Sequence, residues 1–223
     1  MCERYVIPDK AASELEFLPD HAWWQYLPRF NVATPQFVPA LRVHEGRIEA
    51  VMLRWGFIPA WAEGRIPQTA PTSIHAARLE NSKTCNAAWL AGQRCILPAA
   101  GFYAWQLTPA RYRQPFFVHL AERPVFGFAA IWDRSVGEDD DVIESCAIVT
   151  VPQNDLMRRI ANTAAAMPAI LKRKDYQDWL RGAPTAAAQS LSAYPSARML
   201  AHPVSPRINS TVHDDASLIS PVG

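Results

Sequence analysis

The chain has 223 residues, 49% of them hydrophobic and 19% charged, which excludes a disordered polymer and allows one large domain with a sizeable core. Twenty-two Lys and Arg against 21 Asp and Glu leave a net charge of +1, so any nucleic-acid footprint has to be local. The apolar runs fall short of the roughly 20 residues that a membrane span needs, and Pro8, Asp9, Lys10 and Glu14 interrupt the stretch where a secretory signal would lie.

Four cysteines, Cys2, Cys85, Cys95 and Cys146, stand far apart with no C-x-x-C pair. That spacing predicts neither a disulfide framework nor a zinc site, and it suits a reducing cytoplasm. Buried, unreactive thiols are expected at Cys85, Cys95 and Cys146. No phosphate-binding glycine loop, metal-ligand cluster or cofactor fingerprint is present, so no metal, cofactor or membrane partner is expected.

In chain order, residues 48–55 (IEAVMLRW) are the first clear strand, rich in β-branched and aromatic side chains. Residues 83–91 predict a short helix, with Gly92 as its terminator. Strands follow at 115–120 (PFFVHL), 125–132 (VFGFAAIW) and 142–150 (VIESCAIVT), with Asp139, Asp140 and Asp141 in a solvated turn between the last two. Pro152 is placed to open a helix over 152–160, and a further helix over 173–181 stops before Gly182 and Pro184. Nineteen scattered prolines argue for many short elements. The expectation is an α+β fold, a single domain over 1–223, dominated by an antiparallel sheet with peripheral helices.

Among the aromatics, Trp55 and Trp105 lie in apolar strand-like segments and are expected in the core, whereas Trp61, between Pro59 and Glu63, is expected in a loop. The Trp23-Trp24 pair beside His21 reads as a helix that buries one indole and exposes the other. Arg111 and Arg113 read as a solvated turn.

Five segments in order carry a resemblance. They are Met1-Cys2-Glu3-Arg4-Tyr5; Arg29-Phe30-Asn31-Val32-Ala33; and Arg54-Trp55-Gly56-Phe57-Ile58-Pro59-Ala60-Trp61. The fourth joins Ala77-Arg78-Leu79-Glu80, Arg94-Cys95-Ile96-Leu97-Pro98 and Gly101-Phe102-Tyr103-Ala104-Trp105. The fifth is Met167-Pro168-Ala169-Ile170-Leu171, closed by His202-Pro203-Val204-Ser205. Together they resemble the SRAP family, whose members capture abasic sites in single-stranded DNA.

The resemblance implies a barrel-like, mainly antiparallel fold and a catalytic Cys2. Removal of Met1 leaves an α-amine, with a pKa of about 7.7–8.0, and a thiol, near ~8.5, on one residue. The amine adds to the ring-opened aldehyde of an abasic site, and the thiol closes a thiazolidine ring. The resemblance also implies DNA contacts from Arg4, Asn31, Trp61 and Arg78. Single-stranded DNA with abasic or other damage is thus the expected partner, taken by a monomer.

Three further catalytic positions of the family are altered. Its Asn, which orients amine and sugar, falls on Ala76; its Glu, which manages protons, falls on Ala104; its His falls on Ala161 or Ala164. A basic residue before Met167 is Ala166, and the usual third-position glycine is Glu3. Loss of a positioned acid or base costs about 10²–10⁴-fold in rate, so impaired cross-linking is expected. His75 is a possible substitute, although a structural hydrogen bond is the plainer reading of it. Two other functions stand beside this one: a cysteine-type autopeptidase of the same family, and a non-catalytic DNA- or partner-binding module.

Overall fold

In a computed structural model, which describes residues 3–7 and 28–222, the β-rich runs pair into two sheets. The strands in chain order are β1 (Arg4–Ile7), β2 (Arg29–Ala33), β3 (Phe37–His44), β4 (Arg47–Trp55), β5 (Ser73–His75), β6 (Arg94–Ala99) and β7 (Gly101–Leu107). They continue as β8 (Arg113–Leu120), β9 (Phe126–Val136), β10 (Val142–Pro152), β11 (Ala166–Pro168), β12 (Ile170–Leu171) and β13 (Met199–Pro203). Four short helices, α1 (Asn86–Leu90), α2 (Asp155–Ile160), α3 (Tyr176–Arg181) and α4 (Pro184–Gln189), lie around them.

The larger sheet runs β11-β10-β4-β3-β6-β9-β12, and an additional β10–β9 pairing closes β10, β4, β3, β6 and β9 into a ring. Closure removes the open edges that a flat sheet would expose. The ring is antiparallel except at β10, which runs parallel to β4 and β5 along one edge. This is the barrel-like antiparallel fold the sequence suggested. The second sheet, β13-β8-β7-β1-β2, packs one face on the barrel.

One side chain of β1 joins the two layers. Tyr5, fully buried, meets Trp55 and Phe128 of the barrel edge-on, with ring centroids 5.4 and 5.8 Å apart. Edge-to-face pairs of this kind contribute about 0.5–1.5 kcal/mol each beyond the area they bury. On the other face of the same sheet, Val6, Tyr103 and Phe117 form a smaller cluster with Val204, Ile208 and Leu218.

The helices begin later than the sequence pattern suggested. The first starts at Asn86, and Gly92 follows it with φ +73. Pro152 ends β10 instead of opening α2, because Asn154 is the better cap: its side-chain oxygen accepts from the Met157 N–H at 2.9 Å. Arg173–Asp175 forms a 3₁₀ turn that leads into α3.

Gly101, opposite Val6 on β1, shows how closely the second sheet is packed. A Cβ there would lie 2.3 Å from the Phe117 ring and 2.8 Å from the Val118 carbonyl oxygen. Gly101→Ala is therefore expected to lower stability by about 1–3 kcal/mol through overpacking. A urea titration checks this: the midpoint falls while the slope stays the same.

Candidate functional site

A cleft of about 380 Å³ opens where β1 meets β7, the end of α2 and β11. Glu3 and Arg4 border it on one side; Ala104, Trp105 and Arg113 come from β7 and β8; Met157, Ala161, Thr163 and Ala164 come from α2 and the turn after it, and Ala166 opens β11. Asn209 contributes from the far end of the chain.

The turn after α2 is held firmly. Ala161 ends the helix with φ −111 and ψ 52, its carbonyl accepts from the Gln153 side chain at 3.0 Å, and the Ala164 N–H donates to the same carbonyl at 2.9 Å. The Asn162 amide then pins the turn to β7, accepting from the Leu107 N–H and donating to the Leu107 carbonyl, each at 2.9 Å. Gln106 adds a bond to the Arg159 carbonyl at 2.9 Å. Ala104, Ala161, Ala164 and Ala166 thus face one cleft through a fixed backbone, and all present methyl groups.

Arg4 is equally constrained. Its guanidinium donates to Asn31 Oδ1 at 2.8 Å and to the Asn209 carbonyl at 2.9 Å. Burial pulls the Arg4 pKa below its ordinary value and nearby Glu3 opposes the shift. Asn31, 1% exposed, donates onward to the carbonyls of Ser210 and His213 at 2.9 and 2.8 Å. Asp214 accepts from the Phe30 and Asn31 N–H groups and pairs with Arg29. Residues 208–214 are in this way tied across β2, with Arg4 at the open end of the network. Tyr103 donates its hydroxyl to the Phe30 carbonyl at 2.7 Å. Burial and the Asp214 charge push the Tyr103 pKa up, so it holds its proton at neutral pH.

Other residues singled out in the sequence lie outside this lining. Cys2, with His21, Trp23 and Trp24, falls outside the described residues. Trp61 is 63% exposed in a 3₁₀ turn, as its loop-like sequence suggested, and the Ala60 N–H anchors that turn to Asp133 at 2.8 Å. Since Asp133 pairs with Ser145 and cleft-lining Pro168 pairs with Thr150, Trp61 stands about 17 Å along β10 from the cleft. Ala76 and exposed Arg78 share another 3₁₀ turn, capped by His75, whose Nδ1 accepts from the Ala77 N–H at 3.2 Å. His75 and Pro168 flank Thr150 on opposite edges of β10, which separates them by about 10 Å.

Trp55 is fully buried, as expected, but Trp105 corrects the sequence reading. It is half-buried at the edge of the cleft, and its indole N–H donates to Asn209 Oδ1 at 2.9 Å. The reason is positional: β7 runs out of the core after Ala104, and its burial falls residue by residue. Arg113 is likewise the first residue of β8 and borders the cleft, whereas Arg111 is an exposed turn residue with φ +58. Sequence reasoning missed Thr163 and Asn209 altogether; only the pairing of distant segments brings them here.

Cys85, Cys95 and Cys146 are buried free thiols, and burial raises the pKa of each. Among the described residues, no group of three or more His, Cys, Asp or Glu could hold a metal ion. None of their helices is long and apolar enough to cross a membrane.

The chain as a whole matches a known family. A family model described as SOS response associated peptidase (SRAP) matches residues 1–211, and the chain belongs to that family. It is similar to the abasic site processing protein YoqW of Bacillus subtilis (strain 168), 27% identical over 98% of this chain and 99% of the relative. It is also similar to the abasic site processing protein HMCES of Mus musculus, 24% identical over 88% of this chain and 66% of that longer protein. The fold recurs in a crystal structure of a protein from Bacteroides thetaiotaomicron, with a TM-score of 0.86 and 21% identity over 99% of this chain and 100% of that one. A second, from Bordetella bronchiseptica, gives 0.77 and 23% over 92% and 100%.

The network behind Arg4 yields a direct expectation. Asn31→Ala removes the acceptor for Arg4 and the donor for buried carbonyls, and is expected to cost about 1–3 kcal/mol. Chemical denaturation measures the loss, and limited proteolysis is expected to cut first within 208–214.

Proposed function

We propose that this chain recognises abasic or related lesions in single-stranded DNA with the cleft beside Glu3 and Arg4, and that its covalent capture through Cys2 is slow. The observation that carries the reading is the cleft itself. It begins one residue from Cys2, Arg4 and Arg113 border it, and methyl groups stand at Ala104, Ala161, Ala164 and Ala166. The names of the relatives from Bacillus subtilis and Mus musculus, both abasic site processing proteins, support the same substrate class.

In this reading Arg4 and Arg78 contact phosphates on either side of the lesion, and exposed Trp61 stacks on or wedges against a base. The separation of Trp61 from the cleft corresponds to a few nucleotides of extended strand, so one DNA segment reaches both. Asn31 acts behind Arg4 and holds its guanidinium in place. Cys2 supplies the amine and thiol. The alanines at 76, 104 and 161 or 164 remove the groups that would orient the sugar and move protons, which lowers the rate and leaves binding intact.

Fluorescence anisotropy with an abasic single-stranded oligonucleotide tests the binding. Affinity is expected to fall steeply as salt rises, as phosphate neutralisation requires. Trp61→Ala is expected to weaken binding by about 1–3 kcal/mol with little effect on folding. Affinity that ignores both salt and Trp61 would contradict the reading.

A further inference from the structure

We propose that the β7–β8 hairpin, together with Arg159 of α2, forms a second contact surface for single-stranded DNA. It takes the arm of the strand that leaves the cleft on the side away from Trp61, and it rests on the reading above.

The hairpin leads directly out of the cleft. Trp105 pairs with Pro115 and Leu107 with Arg113, and alternate residues of a strand share a face. Trp105 and Arg113 both border the cleft, so one face runs from the cleft edge to the base of the turn, about 7 Å further along β7. The turn itself is closed by its own bonds. The Thr108 N–H donates to the Tyr112 carbonyl at 2.8 Å, and the N–H groups of Arg111 and Tyr112 donate to the Thr108 carbonyl and hydroxyl at 2.9 and 3.2 Å.

The same hairpin is fixed to α2. Asn162 bonds the Leu107 backbone twice, and the Gln106 side chain donates to the Arg159 carbonyl at 2.9 Å, which brings Arg159 alongside. Strand β10 sets the order of these parts. Trp61 lies in the turn anchored at Asp133, opposite Ser145; the cleft lies beside Thr150; and α2 follows the end of the strand at Pro152. The hairpin and Trp61 thus flank the cleft from opposite sides.

The chemistry of the surface selects its partner. Arg111, Arg113 and Arg159 are exposed and form no ion pair among the described residues, in a chain whose net charge is only +1. The acidic groups on these same segments are Asp155, which pairs with Arg158, and Glu3 on the cleft lining. Between Arg111 and Arg113, Tyr112 is 45% exposed. Arginines on either side of an open aromatic ring suit a phosphate backbone with an unpaired base to stack. A duplex already stacks its bases on one another and offers no face to Tyr112, so the partner is the single strand continuing from the lesion.

The test uses fluorescence anisotropy on the wild type, Y112A and the triple variant R111N/R113Q/R159Q. Asparagine is chosen at 111 because that residue has φ +58, which asparagine tolerates. Three abasic oligonucleotides are compared: one with arms on both sides of the lesion, one cut short on the 5′ side and one cut short on the 3′ side. With both arms present, the triple variant is expected to bind more weakly, and its plot of log affinity against log salt to be shallower by about 2, since each phosphate of a single strand contributes about 0.7. Y112A is expected to bind about 5–100-fold more weakly. Both losses should persist with one truncated oligonucleotide and vanish with the other, which lacks the arm that reaches the hairpin. Wild-type affinity and salt slope in both variants, or the same loss with all three oligonucleotides, would overturn the proposal. So would a loss seen only when one arm is made duplex, which would assign the surface to double-stranded DNA. Failure of the wild type to bind any of the three would instead overturn the underlying reading.

Discussion

The seating of Tyr5 between Trp55 and Phe128 is the contact on which the cleft depends. It locks a four-residue strand to the barrel through two edge-on aromatic pairs. Such a short strand has few ladder bonds of its own, so burial of one large ring decides where it lies. Fixing Tyr5 fixes the register with Phe102, and on its other edge the same strand brings Arg4 to Asn31 of β2. The glycine at 101 completes the arrangement by letting β1, β7 and β8 approach closely.

The cleft keeps its geometry while its titratable groups are sparse. The turn after α2 is stapled to β7 by Asn162 and Gln106, which is a large investment of hydrogen bonds in the placement of three alanines and a threonine. A scaffold of this precision is what proximity catalysis needs, since an error of about 1 Å can cost 10²-fold in rate. A binding surface retains its use when the acid–base groups change.

Much of the fold was readable in the sequence because strands announce themselves locally. Residues 48–55, 115–120 and 142–150 lie within observed strands, and 125–132 does so from Phe126 onward, since β-branched and aromatic side chains suit a half-buried pleat. Helix starts were less readable: Asn154 caps α2 where Pro152 looked like the opening residue, because Pro152 also suits the end of a strand. The site was readable only as a set of positions. That Ala104, Ala161, Ala164 and Ala166 share one cleft follows from contacts between segments far apart in sequence. Trp105 was misread because its neighbours in sequence are apolar while its neighbours in space include Asn209. The anchoring part played by Asn31 was invisible for the same reason, since its carbonyl partners lie beyond residue 207.

Hydrogen–deuterium exchange with an abasic single-stranded oligonucleotide, compared with the same oligonucleotide lacking the lesion, tests the central claim most directly. The account predicts lesion-dependent protection concentrated in residues 3–7, 101–107 and 157–168, which supply most of the cleft lining. Protection that is the same for both oligonucleotides, or that leaves these segments unchanged, would contradict it.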